Sequence, residues 1–212
     1  MINLKYKPTI ETRGERHLRK SGILMHISSL PSPHGIGTMG KAARDFVDFL
    51  QESGQSYWQI LPICPTSYGD SPYQSYSAFA GNPYFIDLDE LKNMGLLEAK
   101  DYEDVDWEST DEKVNYGVLY EKRYPILQKA AIKFLDKPSE EFEKFCKENE
   151  EWLPEFALFM ALKDVHEGMQ WSEWKEEYRN RDKEAIGQAK SRYETEINLW
   201  KVYQYLFFKQ WR

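Results

Sequence analysis

A chain of 212 residues, 41% of them hydrophobic and 15% aromatic, has enough apolar material for a packed core and is not expected to be disordered. Its formal net charge of -7 argues against a nucleic-acid or anionic-membrane partner, because such partners are bound by a basic face. A neutral ligand fits this charge better. Residues 1–20 contain no apolar run of signal-peptide or membrane-spanning length, and Cys64 and Cys146 have no metal-type spacing. We therefore expect a reduced, cytoplasmic setting and no metal.

The first predicted unit is a strand, a helix and a second strand. Residues 22–28 are a short apolar run that predicts a fully buried strand. We interpret its His26 as a packed core histidine, with a functional role as the minority alternative. Residues 42–52 carry apolar side chains at helical spacing, and residues 56–62 predict the second strand. Such a βαβ unit has parallel strands, so the loops that follow them are expected to open at one mouth.

Residues 62–84, which we call the aromatic loop, concentrate rings among turn-forming residues. Tyr76, Phe79 and Tyr84 are interpreted as rings that bury the loop against its own domain. Tyr68 and Tyr73 differ from them, because each lies beside Gly, Asp, Ser or Pro residues that hold it at a turn. These two rings are expected to face a cleft and to offer a flat face with a polar tip.

The second half of the chain is predicted to be mostly helical. Asp87 is expected to cap a helix over residues 88–94. Residues 99–113 form an acidic stretch that we interpret as solvated surface. From Ser109, with Glu112 three residues later as a capping box, the pattern predicts helix to the end of the chain.

Two features remain near the end of the chain, a pair of tryptophans and the last predicted helix. Trp171 and Trp174 either line a ligand groove or, more commonly, anchor a helix start. Residues 182–212 predict a single long amphipathic helix without a stop signal. Because two strands cannot form a closed sheet, we expect the chain to continue in a longer protein.

Several motifs together resemble one enzyme family. The most specific is Tyr68-Gly-Asp-Ser-Pro-Tyr-Gln-Ser-Tyr-Ser-Ala-Phe-Ala-Gly-Asn-Pro-Tyr84. The other matching segments are residues 21–31, 35–37, 57–62, 114–117, 171–174 and 204–211. They resemble the amylomaltases, which are 4-α-glucanotransferases, also called disproportionating enzymes, and are relatives of the α-amylases. The resemblance covers the chain from about residue 20 onward.

The resemblance implies an α/β fold, the N-terminal part of a (β/α)8 TIM barrel with an inserted helical subdomain. It divides the chain into a βαβ part, a helical insertion and a helix that leads back to the barrel: residues 1–95, 96–185 and 186–212. It also implies a cofactor-independent, retaining transfer of α-1,4-glucan segments between maltooligosaccharides by a parent enzyme that is a monomer. Retaining transfer requires two nearby carboxyl groups. In this family they lie on later strands, so none of the catalytic residues is expected within residues 1–212.

Site residues follow from the same resemblance, position by position. Tyr73 matches the tyrosine that stacks on the sugar at the cleavage subsite, and Ser71 lines that subsite. Asp70 is expected near the cleft. Tyr68 matches a tyrosine of an accessory glucan-binding groove outside the catalytic cleft, and Tyr116 is assigned to the same groove.

Two remaining carboxylates receive structural interpretations, and one position departs from the family pattern. Asp87 is interpreted as a helix cap and Asp89 as helix surface. Thr38 stands where the family commonly has an acidic residue, which affects only the expected geometry of the local loop.

Two alternative functions remain open at this stage. One, within the same fold, is an α-glucan hydrolase. The other is a non-catalytic glucan-binding or scaffold protein. The isolated chain is expected to be inactive and to self-associate, because it would leave a strand edge and an apolar helix stripe exposed.

Overall fold

The computed structural model describes residues 2–3, 19–67, 69–110 and 112–212. Its strands are β1 (Ile2–Asn3), β2 (Gly22–Leu24) and β3 (Tyr57–Gln59), in the order β1-β3-β2. β2 and β3 run parallel, with Ile23 opposite Trp58, and helix α1 (Lys41–Glu52) connects them. The predicted parallel βαβ unit is therefore confirmed. The antiparallel pairing of β1 with β3 is an addition that the sequence did not indicate.

The first strand is shorter and more exposed than predicted. β2 has only three residues, and Leu24 is 58% exposed, so the prediction of one fully buried strand over residues 22–28 is wrong. The run instead turns at Ile27–Ser29, where the Leu30 amide donates to the Ile27 carbonyl at 3.0 Å. Among the described strands β2 pairs only with β3, and the ring of Trp58 on β3 is buried. An apolar run does not by itself distinguish a strand from a buried turn.

Helix α1 packs its apolar stripe on this sheet. Leu50 is fully buried, and the Phe46 ring lies 5.0 Å from the Trp58 ring, centroid to centroid. The helix is followed by Ser53 and by Gly54 with a φ of 68°, a left-handed conformation that favours glycine. The predicted end of this helix is confirmed.

The rest of the described chain is mainly helical. The helices after α1 are α2 (Leu88–Asn93), α3 (Tyr116–Val118), α4 (Tyr124–Leu135), α5 (Glu140–Glu148), α6 (Leu153–Val165), α7 (Glu176–Arg179), α8 (Lys183–Arg192) and α9 (Glu194–Trp211). A π-helical turn at Leu119–Arg123 joins α3 to α4, and short 3-10 turns lie at Pro83–Phe85, Ala99–Asp101 and Trp171–Glu173. α9 packs against α4, α5 and α6. Within the described ranges, none of the helices is long and apolar enough to span a bilayer.

The predicted helix start at Ser109 is wrong. No capping box forms at Ser109 and Glu112, because the chain makes a tight turn between Thr110 and Lys113. Helix α3 begins later, after Asn115, whose side chain accepts from the Val118 amide at 3.3 Å.

The predicted single helix over residues 182–212 is two helices. α8 and α9 are separated at Tyr193, which has a φ of -110° and a ψ of 28°. The apolar residues on both sides of the break keep intervals of three and four, so their periodicity does not report the interruption.

Buried polar side chains join the loop after β2 to later segments. The Arg123 guanidinium is completely buried and donates to the His34 carbonyl at 3.0 Å and to the Ile86 carbonyl at 2.6 Å. Asp87 caps α2 as predicted, because its Oδ1 accepts from the Glu90 amide at 2.9 Å. Its Oδ2 accepts from the Thr38 hydroxyl at 2.6 Å. Thr38, which departs from the family pattern, thus links the loop after β2 to the start of α2.

Two glutamines of α9 hold the segment that follows the aromatic loop. The Gln204 amide accepts from the Gly81 N–H at 2.7 Å and donates to the Gly81 carbonyl at 2.9 Å. Gln210 makes the same pair of bonds with Asp87, at 2.7 and 3.2 Å. Gly81 has no room for a side chain, since a Cβ there would lie 2.1 Å from the Phe207 ring. The C-terminal end of the aromatic loop is therefore fixed on α9.

Candidate binding site

A cavity of about 230 Å³ opens where the loops after β2 and β3 meet. Its lining comes from four parts of the chain: His26, Ser28 and Ser29 after β2; Leu61, Pro62, Thr66, Asp70 and Pro72 after β3; Asn82 and Phe85; and Tyr116 at the start of α3. The two loops share one mouth, as parallel strands predict. The lining mixes hydroxyl, amide and ring groups with a single carboxylate.

Backbone hydrogen bonds give the aromatic loop a defined shape. The Asn82 amide donates to the Ile63 carbonyl at 2.8 Å and closes the base of the loop. Farther out, Thr66 and Ser75 form an antiparallel bridge. Asp70 lies at the tip with a φ of 56°, in the left-handed region that few residues other than glycine, asparagine and aspartate adopt. The loop is a closed hairpin-like structure whose tip lies next to the cavity.

Serine side chains stabilise the turns of this loop. The Ser71 hydroxyl accepts from the Tyr73 amide at 3.3 Å, and the Ser77 hydroxyl accepts from the amides of Phe79 and Ala80 at 3.1 and 3.2 Å. Such side-chain to backbone bonds replace regular secondary structure in turns. They explain why the loop contains serines and why it can hold rings away from the core.

The rings of the aromatic loop have different environments. Tyr84 is buried, and Tyr76 packs on Phe159 with ring centroids 5.8 Å apart, so the interpretation of these two as packing residues is confirmed. The same interpretation is wrong for Phe79, which is 67% exposed and stacks on Trp152 at the surface. Tyr73 is 73% exposed and available to a ligand.

The predicted site residues fall into two groups. Asp70 and Tyr116 line the same cavity, although the family resemblance assigned them to different glucan-binding regions. Ser71 and Tyr73 lie on the adjoining turn, where the Ser71 hydroxyl orients the Tyr73 backbone. Tyr68 lies outside the described residues. Their roles in binding stay predictions.

Burial sets the electrostatics of the cavity. Burial raises the pKa of the Asp70 carboxyl above its usual range. Burial, and after it the charge of Asp70, also raises the pKa values of the Tyr84 and Tyr116 hydroxyls. Both hydroxyls therefore stay protonated near neutral pH and can donate as well as accept hydrogen bonds.

His26 is a cavity residue that the sequence identified only as a minority alternative. Its ring packs against Phe85 in an edge-to-face arrangement with centroids 5.3 Å apart, as a core histidine would, but His26 also lines the cavity. Burial lowers the pKa of the imidazole. Within the described residues, the buried Nδ1 atom has no hydrogen-bond partner. Its position near the end of the predicted strand was the available signal, because strand ends position functional loops in α/β folds.

The arrangement suits a neutral polar ligand. Among the described residues, no group of three or more His, Cys, Asp or Glu side chains is placed to hold a metal ion. Hydroxyls, a neutral imidazole and ring faces bind ligands that have an apolar face and a polar rim.

Comparison with known proteins identifies a family whose members this chain resembles. A family model described as 4-alpha-glucanotransferase matches residues 25–212. The 4-alpha-glucanotransferase of Clostridium butyricum is 48% identical over 188 residues, and that of Thermus thermophilus is 45% identical over 197. These alignments cover 89% and 91% of this chain but 39% and 38% of the relatives. The chain thus spans about two fifths of the length of the curated relatives that it matches.

Solved structures show the same similarity. An amylomaltase from Streptococcus agalactiae in complex with acarbose superposes with a TM-score of 0.88 at 43% identity, covering 92% of this chain and 40% of that one. An amylomaltase from Corynebacterium glutamicum superposes with a TM-score of 0.62 at 17% identity, covering 90% of this chain and 27% of that one, and it supports the fold alone.

Proposed function

Because the chain belongs to the 4-alpha-glucanotransferase family, we propose that its cavity and aromatic loop bind α-1,4-glucans for a full-length enzyme that transfers glucan segments between maltooligosaccharides. The observation that carries the proposal is the exposed ring of Tyr73 on the same loop that lines the polar cavity. The Tyr73 ring complements the apolar C–H face of a glucose unit, and the polar cavity complements its rim of hydroxyls. The similarity to an amylomaltase solved with acarbose supports the ligand class.

The architecture that we propose for the full-length protein is a (β/α)8 barrel that starts with β2, α1 and β3. The parallel pairing of these strands and the cavity at their C-terminal ends support this arrangement. Residues 96–185 are then the helical insertion, and residues 186–212 form the segment that returns to the barrel.

The proposed reaction is retaining transfer, in which one carboxylate forms a glycosyl–enzyme bond and a second carboxyl group acts first as acid and then as base. We place both groups on strands beyond residue 212. The contribution of the described residues is to hold the sugar. Tyr73 stacks on a glucose ring, while Asp70, His26 and the Tyr116 hydroxyl form hydrogen bonds with sugar hydroxyls in the cavity. Tyr68 belongs to the accessory groove in this proposal.

The proposal is tested by replacing Tyr73 with alanine in the full-length protein. We expect the affinity for maltotriose and for maltoheptaose, measured by calorimetry, to fall roughly three- to tenfold, because one ring–sugar stacking contact is lost. Tyr73→Phe should retain most of the affinity. The matched control is Phe49→Ala, which removes a ring that is 51% exposed on α1, and it should leave binding unchanged.

The products formed from maltotriose separate the possible activities. A transferase yields both longer and shorter oligosaccharides, whereas a hydrolase yields only shorter ones. Binding without any turnover by the full-length protein would favour the non-catalytic alternative. Unchanged glucan affinity of Tyr73→Ala would contradict the proposed role of the aromatic loop.

A further inference from the structure

The two tryptophans of the 169–174 segment have opposite environments. Trp174 is buried, with its Nε1 donating to the Met169 carbonyl at 3.2 Å. Trp171 is 57% exposed, and Met169 beside it in the segment is 50% exposed. Trp174 therefore provides the anchor that the sequence favoured, whereas more than half of the Trp171 surface is exposed.

Side-chain hydrogen bonds from both sides support the backbone of the segment that displays Trp171. The Lys163 ammonium donates to the carbonyls of Gly168 and Met169 at 2.5 and 3.3 Å. On the other side, the Arg179 guanidinium donates to the Ser172 carbonyl at 3.4 Å. A ring that is exposed on a fixed backbone loses little conformational entropy when a ligand stacks on it, which favours binding.

A row of contacts joins this segment to the aromatic loop. The Tyr76 ring of that loop lies 5.8 Å from the Phe159 ring, which in turn lies 5.4 Å from the Trp174 ring. The Lys163 ammonium, which holds the 169–174 segment, also lies 5.0 Å from the centre of the Tyr76 ring. The exposed Trp171 thus belongs to a segment that packs, through these intermediates, against the same loop that carries Tyr73.

The surroundings of Trp171 favour a sugar over a protein partner. Its neighbours in sequence are polar, and the Gln170 amide donates to the Glu173 carboxylate at 3.2 Å beside it. Two exposed apolar side chains are too small a patch for a stable protein interface, which buries about 800 Å² on each partner. A flat ring with amide, hydroxyl and carboxylate groups around it matches the apolar face and polar rim of a pyranose.

We propose that Trp171, with Met169 beside it, is an additional α-glucan-stacking platform that binds the distal part of long glucan chains whose other part lies at the aromatic loop. The inference rests on the proposed function, because it assumes the same ligand class. Short maltooligosaccharides occupy only the site at the aromatic loop, and longer chains also reach Trp171.

The test compares Trp171→Ala with the wild type in the full-length protein, using maltotriose and a long maltodextrin as probes in calorimetry. The affinity for the long maltodextrin should fall roughly three- to tenfold, and the affinity for maltotriose should not change. Trp171→Phe should restore most of the lost affinity. Ile132→Ala, which truncates an apolar residue of similar exposure (50%) on α4, is the matched control and should affect neither probe. Thermal unfolding of each variant verifies that the fold is retained.

The possible results distinguish this inference from the proposed function. If the wild type binds both probes and Trp171→Ala leaves long-chain affinity unchanged, the platform is refuted while the proposed function stands. An equal loss for both probes also overturns the platform, because Trp171 would then act at the main site or on the fold. A wild type that binds neither probe refutes the proposed function and this inference with it.

Discussion

Aromatic rings in the aromatic loop and in α9 have opposite environments. Tyr73 and Phe79 are 73% and 67% exposed, whereas Trp200 and Phe207 are 3% and 0% exposed. The helix places its rings at intervals of three and four, so they point into the core together. The loop holds its rings on turns that serine hydroxyls and backbone bonds stabilise. The backbone that carries a ring, and not the ring itself, therefore indicates whether the ring packs or is available to a ligand.

The two regions meet where Phe207 covers Gly81, and the largest predicted effect lies there. Phe207→Ala should lower the free energy of unfolding by about 3–5 kcal/mol, because it leaves a cavity under the end of the aromatic loop. Phe79→Ala removes the same side chain from an exposed position and should lower it by less than about 1 kcal/mol. Urea unfolding of the full-length protein measures both. Similar losses for the two variants would contradict the distinction between packing rings and loop rings.

A smaller effect is expected from the glutamine that joins the same two regions. Gln204→Leu keeps the side-chain volume but leaves the buried N–H and carbonyl of Gly81 without partners. The free energy of unfolding should fall by roughly 2–4 kcal/mol, because unsatisfied buried groups each cost about 1–3 kcal/mol. Gln210→Leu removes an equivalent pair of bonds from the backbone of the buried Asp87, but the Gln210 side chain is itself half-buried, so water can approach from its side.

The Gln210→Leu control should therefore be the milder variant, with a loss of about 1 kcal/mol or less. The ratio of the two losses tests whether the complete burial of the Gln204 side chain gives its contact with Gly81 its strength. If Gln210→Leu is as destabilising as Gln204→Leu, burial is not the cause.

The sequence predicts the elements whose causes are local. The parallel βαβ unit, the glycine-terminated end of α1 and the Asp87 cap of α2 follow from periodicity, turn residues and capping side chains within a few positions. The shared mouth of the two strand-end loops follows from the direction of the strands. These features can be predicted without knowledge of the contacts between distant parts of the chain.

The features that the sequence missed depend on contacts between distant parts of the chain. Nothing near Gly81 indicates that Gln204 will bond it from 123 positions away. Phe79 lies among the same kind of turn-forming residues as the buried Tyr84, but its ring stacks on Trp152 at the surface and is 67% exposed. The acidic stretch at 99–113 is largely exposed, as interpreted, but it also contributes Tyr102 and Trp107 to the core. A run of charged residues predicts exposed surface, but it does not indicate which rings of the same segment are buried.

The candidate site also combines features with local causes and features that depend on distant contacts. The motif around Tyr73 is local, and the structure keeps that ring exposed. The meeting of Asp70 with Tyr116 and His26 in one cavity is not local, because it requires the loops after β2 and β3 and the start of α3 to converge. The family resemblance assigned Tyr116 to the accessory groove, and its role in binding stays a prediction.

The smallest predicted effect is the pH dependence that His26 gives to stability at the loop end of the sheet. Burial lowers the pKa of the imidazole in the folded state, so the unfolded chain binds the proton first as the pH falls. The stability contributed by the neutral ring is complete above the ordinary imidazole pKa of about 6.5 and is lost as the pH falls from that value through the lowered one.

Thermal unfolding from about pH 8 to about pH 5 should therefore show a decline that His26→Gln makes shallower. Asp70 acts in the opposite direction, because burial raises its pKa and the folded state binds its proton first. Asp70→Asn should accordingly remove a stabilising term at the acidic end of the range and leave the decline near the imidazole pKa in place. If His26→Gln keeps the wild-type pH dependence in that range, the His26 imidazole does not carry the titration. The imidazole is then better solvated than its burial indicates.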